Sequence, residues 1–134
     1  MYKKIILGTA QFGMRYGISN QKGKTTKNEI RKILNYLSRK KITYLDTASS
    51  YKKSEFEIGN YIKINKKKFK IITKYGQASG DIQKQFRRTV KLVGQNPDTI
   101  FAHTAKDYLS KKFQKNIDIL KKNFSIKKIG VSLY

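Results

Sequence analysis

Asp46, Tyr51, Lys74 and His103 are the residues of this 134-residue chain whose types and positions suit proton chemistry. A phenol ordinarily ionises near pH ~10 and is a weak acid at neutrality. An ammonium beside it favours the phenolate and eases proton donation to a developing alkoxide. A carboxylate beside the lysine keeps it charged and oriented, and an imidazole in the same pocket can hydrogen-bond a carbonyl oxygen and help place it. The four form a candidate proton-transfer cluster. Each also has a plain structural use: Asp46 can cap a loop, Lys74 is one of 26 lysines, Tyr51 can sit half-buried in a core, and His103, the single histidine, can serve packing.

Bringing these residues together requires a particular order of elements. Strand-like runs lie at 3–9 (KKIILGT), 42–47 (ITYLDT), 69–74 (FKIITK), 98–104 (DTIFAHT) and 127–133 (KKIGVSL). They are nearly continuous in apolar residues, as expected of strands covered on both faces. Helical periodicity fills the intervals. Ile30, Ile33, Leu34 and Leu37 share a face behind a Thr26–Glu29 capping box. A second helix begins at Ser54, with Glu57 three residues on, and aligns Ile58, Tyr61 and Ile62. A third follows Asp81 with Ile82, Phe86, Val90 and Val93; a fourth follows Asp107 with Leu109, Phe113, Ile117 and Leu120. The Gly-rich stretch 11–24 reads as the first strand-to-helix loop, and Asn96-Pro97-Asp98 as a turn.

Strands that alternate with helices predict a parallel sheet with right-handed crossovers. Either an open α/β sheet or part of a (β/α)8 TIM barrel fits. A complete barrel takes about 250 residues; this chain supplies about four βα units and a fifth strand, in a single domain over 1–134. In such folds functional residues gather at the carboxyl ends of strands, where Asp46, Lys74 and His103 fall on three successive strands, with Tyr51 in the loop after Asp46.

Composition narrows the field. The net charge of +23 suggests a polyanion such as nucleic acid, but 26 lysines against 5 arginines, with abundant Ile, Asn, Tyr and Phe, is the pattern of A/T-rich codons. Arginine, the residue suited to bidentate phosphate and base contacts, is scarce. Lys3–Lys4, Lys40–Lys41, Lys66–Lys68 and Lys127–Lys128 each precede a strand, which places them on the amino-end face, opposite Asp46 and Lys74. The absence of cysteine excludes disulfide scaffolds, thiolate metal sites and cysteine nucleophiles, and no metal site is expected. No apolar run reaches the ~18 residues of a membrane span, and the short apolar start predicts no secretory leader. A cytoplasmic protein is expected.

The segment LDTASSYKKSEFEIG (45–59) resembles the aldo-keto reductase signature, Asp-Thr-Ala-x-x-Tyr-Gly-x-Ser-Glu-x-x-x-Gly after the second barrel strand. LGTAQFGMRYGISN (7–20), ITK (72–74), FAHT (101–104) and KKIGVSLY (127–134) are similar to the first, third, fourth and fifth strand ends of that family. The resemblance implies the N-terminal half of such a barrel. It implies a catalytic tetrad of Asp46, Tyr51, Lys74 and His103, with Tyr51 as general acid, Lys74 and Asp46 tuning it, and His103 orienting a substrate carbonyl. Hydride would come from NADPH or NADH, with Gly8, Thr9 and Ser132 near the nicotinamide. The substrate would be an aldehyde, ketone or sugar-type carbonyl. Lys52 stands where the signature has Gly, and Leu133 where Asn usually follows the serine. The loops that bind the cofactor phosphates belong to the family's later strands, so the resemblance implies a truncated, incomplete site, inactive as this chain alone. An open half-barrel leaves edge strands, which suggests self-association or a complementary half. The alternatives are a catalytically silent binding half-barrel or a basic polyanion-binding protein.

Overall fold

Five short parallel strands form one sheet in the order β1-β2-β3-β4-β5, so each strand pairs with its neighbours in sequence. The structure is a computed structural model describing residues 5–133; Lys3 and Lys4, placed before the first strand by the sequence, lie outside them. The strands are β1 (Ile6–Gly8), β2 (Tyr44–Asp46), β3 (Lys70–Tyr75), β4 (Thr99–Ala102) and β5 (Lys128–Val131). The helices are α1 (Ala10–Gly13), α2 (Lys27–Arg39), α3 (Ser54–Asn65), α4 (Ile82–Val93), α5 (Ala105–Leu109) and α6 (Lys111–Asn123). This is the α/β fold class expected, a partial barrel.

The local signals explain most element starts. Thr26 and Glu29 form the reciprocal capping box of α2, with Thr26 Oγ1 accepting from the Glu29 amide and Glu29 Oε2 from the Thr26 amide. Asp81 caps α4 by accepting from the Lys84 amide at 2.8 Å, and Gly94 closes that helix in the left-handed conformation.

Two expectations need correction. The 11–24 stretch is not all loop: residues 10–13 form a helical turn, because buried Phe12 anchors it and its amide bonds the Thr9 carbonyl. The second helix does begin at Ser54, as expected, and the Ser54 hydroxyl is engaged across the fold. The helix expected after Asp107 is two helices. Ser110 caps α6 by accepting from the Phe113 amide, and Leu109 is 79% exposed instead of sharing the buried face of Phe113, Ile117 and Leu120.

Period-two alternation decides which strand residues face the helices. The Thr73 hydroxyl bonds Glu55 on α3, so Ile71, Thr73 and Tyr75 point to the helical layer. Ile72 and Lys74 point to the other face. Two apolar clusters fill the helix side. One joins Leu34, Leu37, Leu45, Ile58 and Ile71; the other joins Phe86, Ile100, Phe113, Ile117 and Leu120. Gly59 lets α3 approach α4: a Cβ there would sit 1.8 Å from the Leu92 carbonyl oxygen. The cores thus lie behind the sheet and leave its opposite face to carry Asp46 and Lys74.

Candidate active site

Strand register sets the site. Gly8 pairs with Asp46, Asp46 with Ile72, and Lys74 with Phe101. Asp46 and Lys74 therefore project from adjacent strands near their carboxyl ends. The Lys74 Nζ donates to Asp46 Oδ1 at 2.5 Å and to the Thr47 carbonyl at 3.1 Å. Lys74 is buried, its side chain 7% exposed, and Asp46 is partly open at 31%. A buried ammonium is tolerated only when paired and hydrogen-bonded, and Asp46 meets both needs.

Tyr51 lies over this pair, its ring centroid 5.1 Å from Lys74 Nζ. His103 follows β4 directly, with its amide bonded to the Tyr75 carbonyl at 2.9 Å. Its ring stands edge-on to Tyr51, centroids 6.3 Å apart and planes at 83°. Tyr16, from the loop after α1, packs on Tyr51 at 6.1 Å. Burial, and then the Lys74 charge, hold the His103 imidazole below its ordinary ionisation range, against the opposing pull of Asp107 and Asp46. The imidazole is therefore neutral at neutral pH, able both to donate and to accept a hydrogen bond. The four side chains named from sequence meet in one place.

The turn bearing Tyr51 is held from below. The Tyr51 amide bonds the Ala48 carbonyl, and the Ser54 amide bonds the Tyr51 carbonyl. Lys52 adopts φ of +48°, a left-handed conformation in which glycine costs least. Lys52 thus holds a backbone conformation that suits the glycine of the signature. The Ser54 hydroxyl lies 2.9 Å from the Thr9 carbonyl oxygen and accepts from Thr47 Oγ1 at 3.1 Å.

Glu55, which residue chemistry alone did not single out, is 2% exposed. Its Oε1 accepts from Thr73 Oγ1 at 2.9 Å and Thr89 Oγ1 at 2.8 Å, tying α3 to β3 and α4. Burial raises its carboxyl above the ordinary range despite these bonds. The Ser-Glu of the 45–59 segment was the available signal: both residues are buried struts one turn beyond Tyr51.

Gly8, Thr9, Asp46, Tyr16 and Tyr51 line a cleft of about 350 Å³. Thr9 is fully buried and its hydroxyl donates to the Asp46 carbonyl, so its side chain is part of the frame. Gly8 is open, with nothing within 4 Å of the position a Cβ would take. The backbone at Gly8 is therefore open to approach. Ser132 stands two strands beyond β3, with its amide bonded to Ala102, and lines none of that cleft. A larger hollow of about 800 Å³ lies between the 19–26 loop and α2. It is lined by Asn20, Lys22, Lys24 and Lys32 and by none of the four residues, and it shares Gln11, Thr25 and Ile33 with the smaller cleft. Among the described residues no cluster of three or more His, Cys, Asp or Glu could hold a metal ion, and no helix is long and apolar enough to cross a membrane.

Comparison with known proteins agrees with this fold. Residues 4–134 match the family model described as the aldo/keto reductase family. Among solved structures, a Pseudomonas aeruginosa protein assigned as an aldo-keto reductase superposes with a TM-score of 0.78 at 20% identity, covering 95% of this chain and 54% of its own. An aldo-keto reductase from Klebsiella pneumoniae in complex with NADPH gives 0.72 at 17% identity, covering 96% and 45%. The apo aldo-keto reductase from Bacillus halodurans gives 0.61 at 22%, covering 81% and 39%. The chain spans about half the length of the first two. None of the curated proteins matches it.

Proposed function

Because the chain belongs to the aldo/keto reductase family, we propose that Asp46, Tyr51, Lys74 and His103 form the acid–base apparatus of NAD(P)H-dependent carbonyl reduction. The observation that carries this reading is Lys74. Its ammonium is desolvated, anchored to Asp46 at 2.5 Å and set 5.1 Å from the Tyr51 ring. A positive charge there stabilises negative charge on a nearby oxygen, and in a site shielded from water that effect is strong.

When bound, a reduced nicotinamide supplies the hydride. Tyr51 donates the proton to the carbonyl oxygen as that oxygen gains charge. Lys74 favours the phenolate left behind, and Asp46 keeps Lys74 charged and directed. His103, neutral and edge-on to Tyr51, donates a hydrogen bond that orients the carbonyl. Gly8 would leave room for the flat ring in the cleft that Asp46 and Tyr51 line.

These 134 residues, read as the N-terminal half of a barrel, supply the acid–base half of the site. They carry no glycine-rich phosphate-binding motif, so the cofactor's phosphate arm needs strands and loops of the kind that make up the rest of the neighbours' length. The substrate is a small aldehyde, ketone or sugar-type carbonyl. Steady-state NADPH oxidation with an aldehyde tests this: the chain alone is expected to show none. In any assembly that completes the barrel, Tyr51→Phe is expected to lower the rate about 100-fold or more. Turnover that survives Tyr51→Phe sinks the assignment. Absence of tyrosine-fluorescence quenching by NADPH in such an assembly favours a silent binding role instead.

A further inference from the structure

One buried amide, outside the four residues just assigned, links the loop of Tyr51 to the strand of Lys74. Gln85 projects from α4 at 6% exposure, among the apolar residues Ile82, Phe86 and Val93 of the same buried face. A hydrophobic side chain would satisfy the packing there, and an amide is costly unless bonded. Gln85 is bonded at both ends. Its Nε2 donates to the Gly76 carbonyl at 2.9 Å and to the Gly80 carbonyl at 3.0 Å. Its Oε1 accepts from the Ser49 hydroxyl at 2.7 Å and from the Gly76 amide at 3.4 Å.

The partners are what give these bonds meaning. Gly76 lies two residues past Lys74, and Ser49 two residues before Tyr51. The Ser49 amide also donates to the Lys74 carbonyl at 3.2 Å, and Ser49 is itself only 8% exposed. One side chain from a helix behind the sheet thus adds to this direct bond a second tie between the backbone carrying the phenol and the backbone carrying the ammonium.

We propose that Gln85, acting through Ser49, is a positioning residue that holds the Tyr51 loop in register over Lys74 and His103. It touches neither substrate nor cofactor. The catalytic consequence rests on the general-acid role proposed for Tyr51; the positional claim does not. Truncating the amide leaves the Gly76 backbone groups without these partners and the Ser49 hydroxyl with only the Lys74 carbonyl at 3.2 Å, which loosens the Tyr51 loop against β3.

The single histidine makes this measurable without turnover. Tyr51 stands edge-on to His103, so its ring current displaces the His103 ring-proton NMR signals, and Tyr51→Leu defines their position without that ring. Gln85→Met is expected to move the signals most of the way to the Tyr51→Leu position, and Ser49→Ala part of the way. Circular dichroism should show the secondary structure retained. Ser49→Ala removes one bond and keeps the test open if Gln85→Met does not fold. Signals that stay at the wild-type position in the folded variants, even with a lowered melting temperature, overturn the proposal and leave Gln85 a structural residue. A His103 signal indifferent to Tyr51→Leu removes the packing on which the proposal stands, and overturns it too. Failure of the general-acid role would appear separately, as NADPH-linked turnover that survives Tyr51→Phe while the NMR response to Gln85→Met persists.

Discussion

Gly13 lies so close to the Tyr51 carbonyl that a Cβ added to it would sit 1.8 Å from that oxygen and 2.6 Å from the Ser54 amide nitrogen. Both neighbours are backbone, so neither can rotate aside. The helical turn after β1 therefore serves as the floor beneath the proposed acid. Gly13→Ala is expected to cost about 3 kcal/mol, the upper range for forced overpacking, measured by urea denaturation. It should also shift the His103 NMR signals, because the Tyr51 turn must move to admit the methyl group.

Lys74→Met is expected to raise the His103 titration midpoint. Burial and the Lys74 charge both lower it, and the substitution removes the second. The sign for stability follows from the depressed folded value. The contribution from His103 is fully present above the unfolded midpoint near pH ~6.5 and is lost as pH falls through the lower folded midpoint. Following the histidine ring protons by NMR across that range checks both statements, and an unchanged midpoint in Lys74→Met would contradict the placement of the ammonium.

Glu55 has the opposite sense. Its carboxyl is raised by burial, so its contribution is present below the ordinary carboxylate value and is lost as pH rises through the folded one. Glu55→Gln keeps an acceptor for Thr73 and Thr89 without the buried charge. At neutral pH it is expected to melt no lower than the wild type, while at acid pH the two converge. Glu55→Ala strands two buried hydroxyls and is expected to cost about 2–4 kcal/mol. Thermal melts of the two variants at two pH values separate charge from hydrogen bonding.

Lys52→Gly should stabilise the fold by about 1 kcal/mol, since φ of +48° is unfavourable for a residue with a Cβ. The side chain is exposed, so little packing is lost. Equilibrium denaturation measures the gain; a loss would mean that Lys52 makes a contact worth more than its strain.

The strand order, the buried faces of α2 and α4, and the grouping of Asp46, Tyr51, Lys74 and His103 were legible because short-range rules govern them. Period-two and period-3.6 patterns report what each segment must bury, and strand ends report where side chains collect. What escaped depends on distant partners. Ser54 reads only as the start of a helix, yet its hydroxyl meets Thr9, 45 positions away. Asp107 looks like the start of a long helix, yet its carboxylate accepts from the Gln77 amide and the Thr104 hydroxyl, and the chain restarts a helix at Ser110. Gln85 carries no local signal at all: its meaning lies in Ser49 and Gly76. Lys52 shows the converse, a departure in residue type that sits in a left-handed backbone favouring glycine.

The sheet order has a consequence for biogenesis. Every strand joins the one made just before it, with paired residues 26 to 38 positions apart. During synthesis the newest strand always forms an open edge, and the next strand to leave the ribosome is the one that pairs with it. Nothing must wait for a distant segment, and no strand is inserted between two already paired. The apparatus assembles in the same direction: Asp46 and Tyr51 emerge first, Lys74 closes the ion pair when β3 docks, and His103 arrives last with β4. Each βα unit thus completes its predecessor's edge and the layer of chemistry above it in one vectorial step.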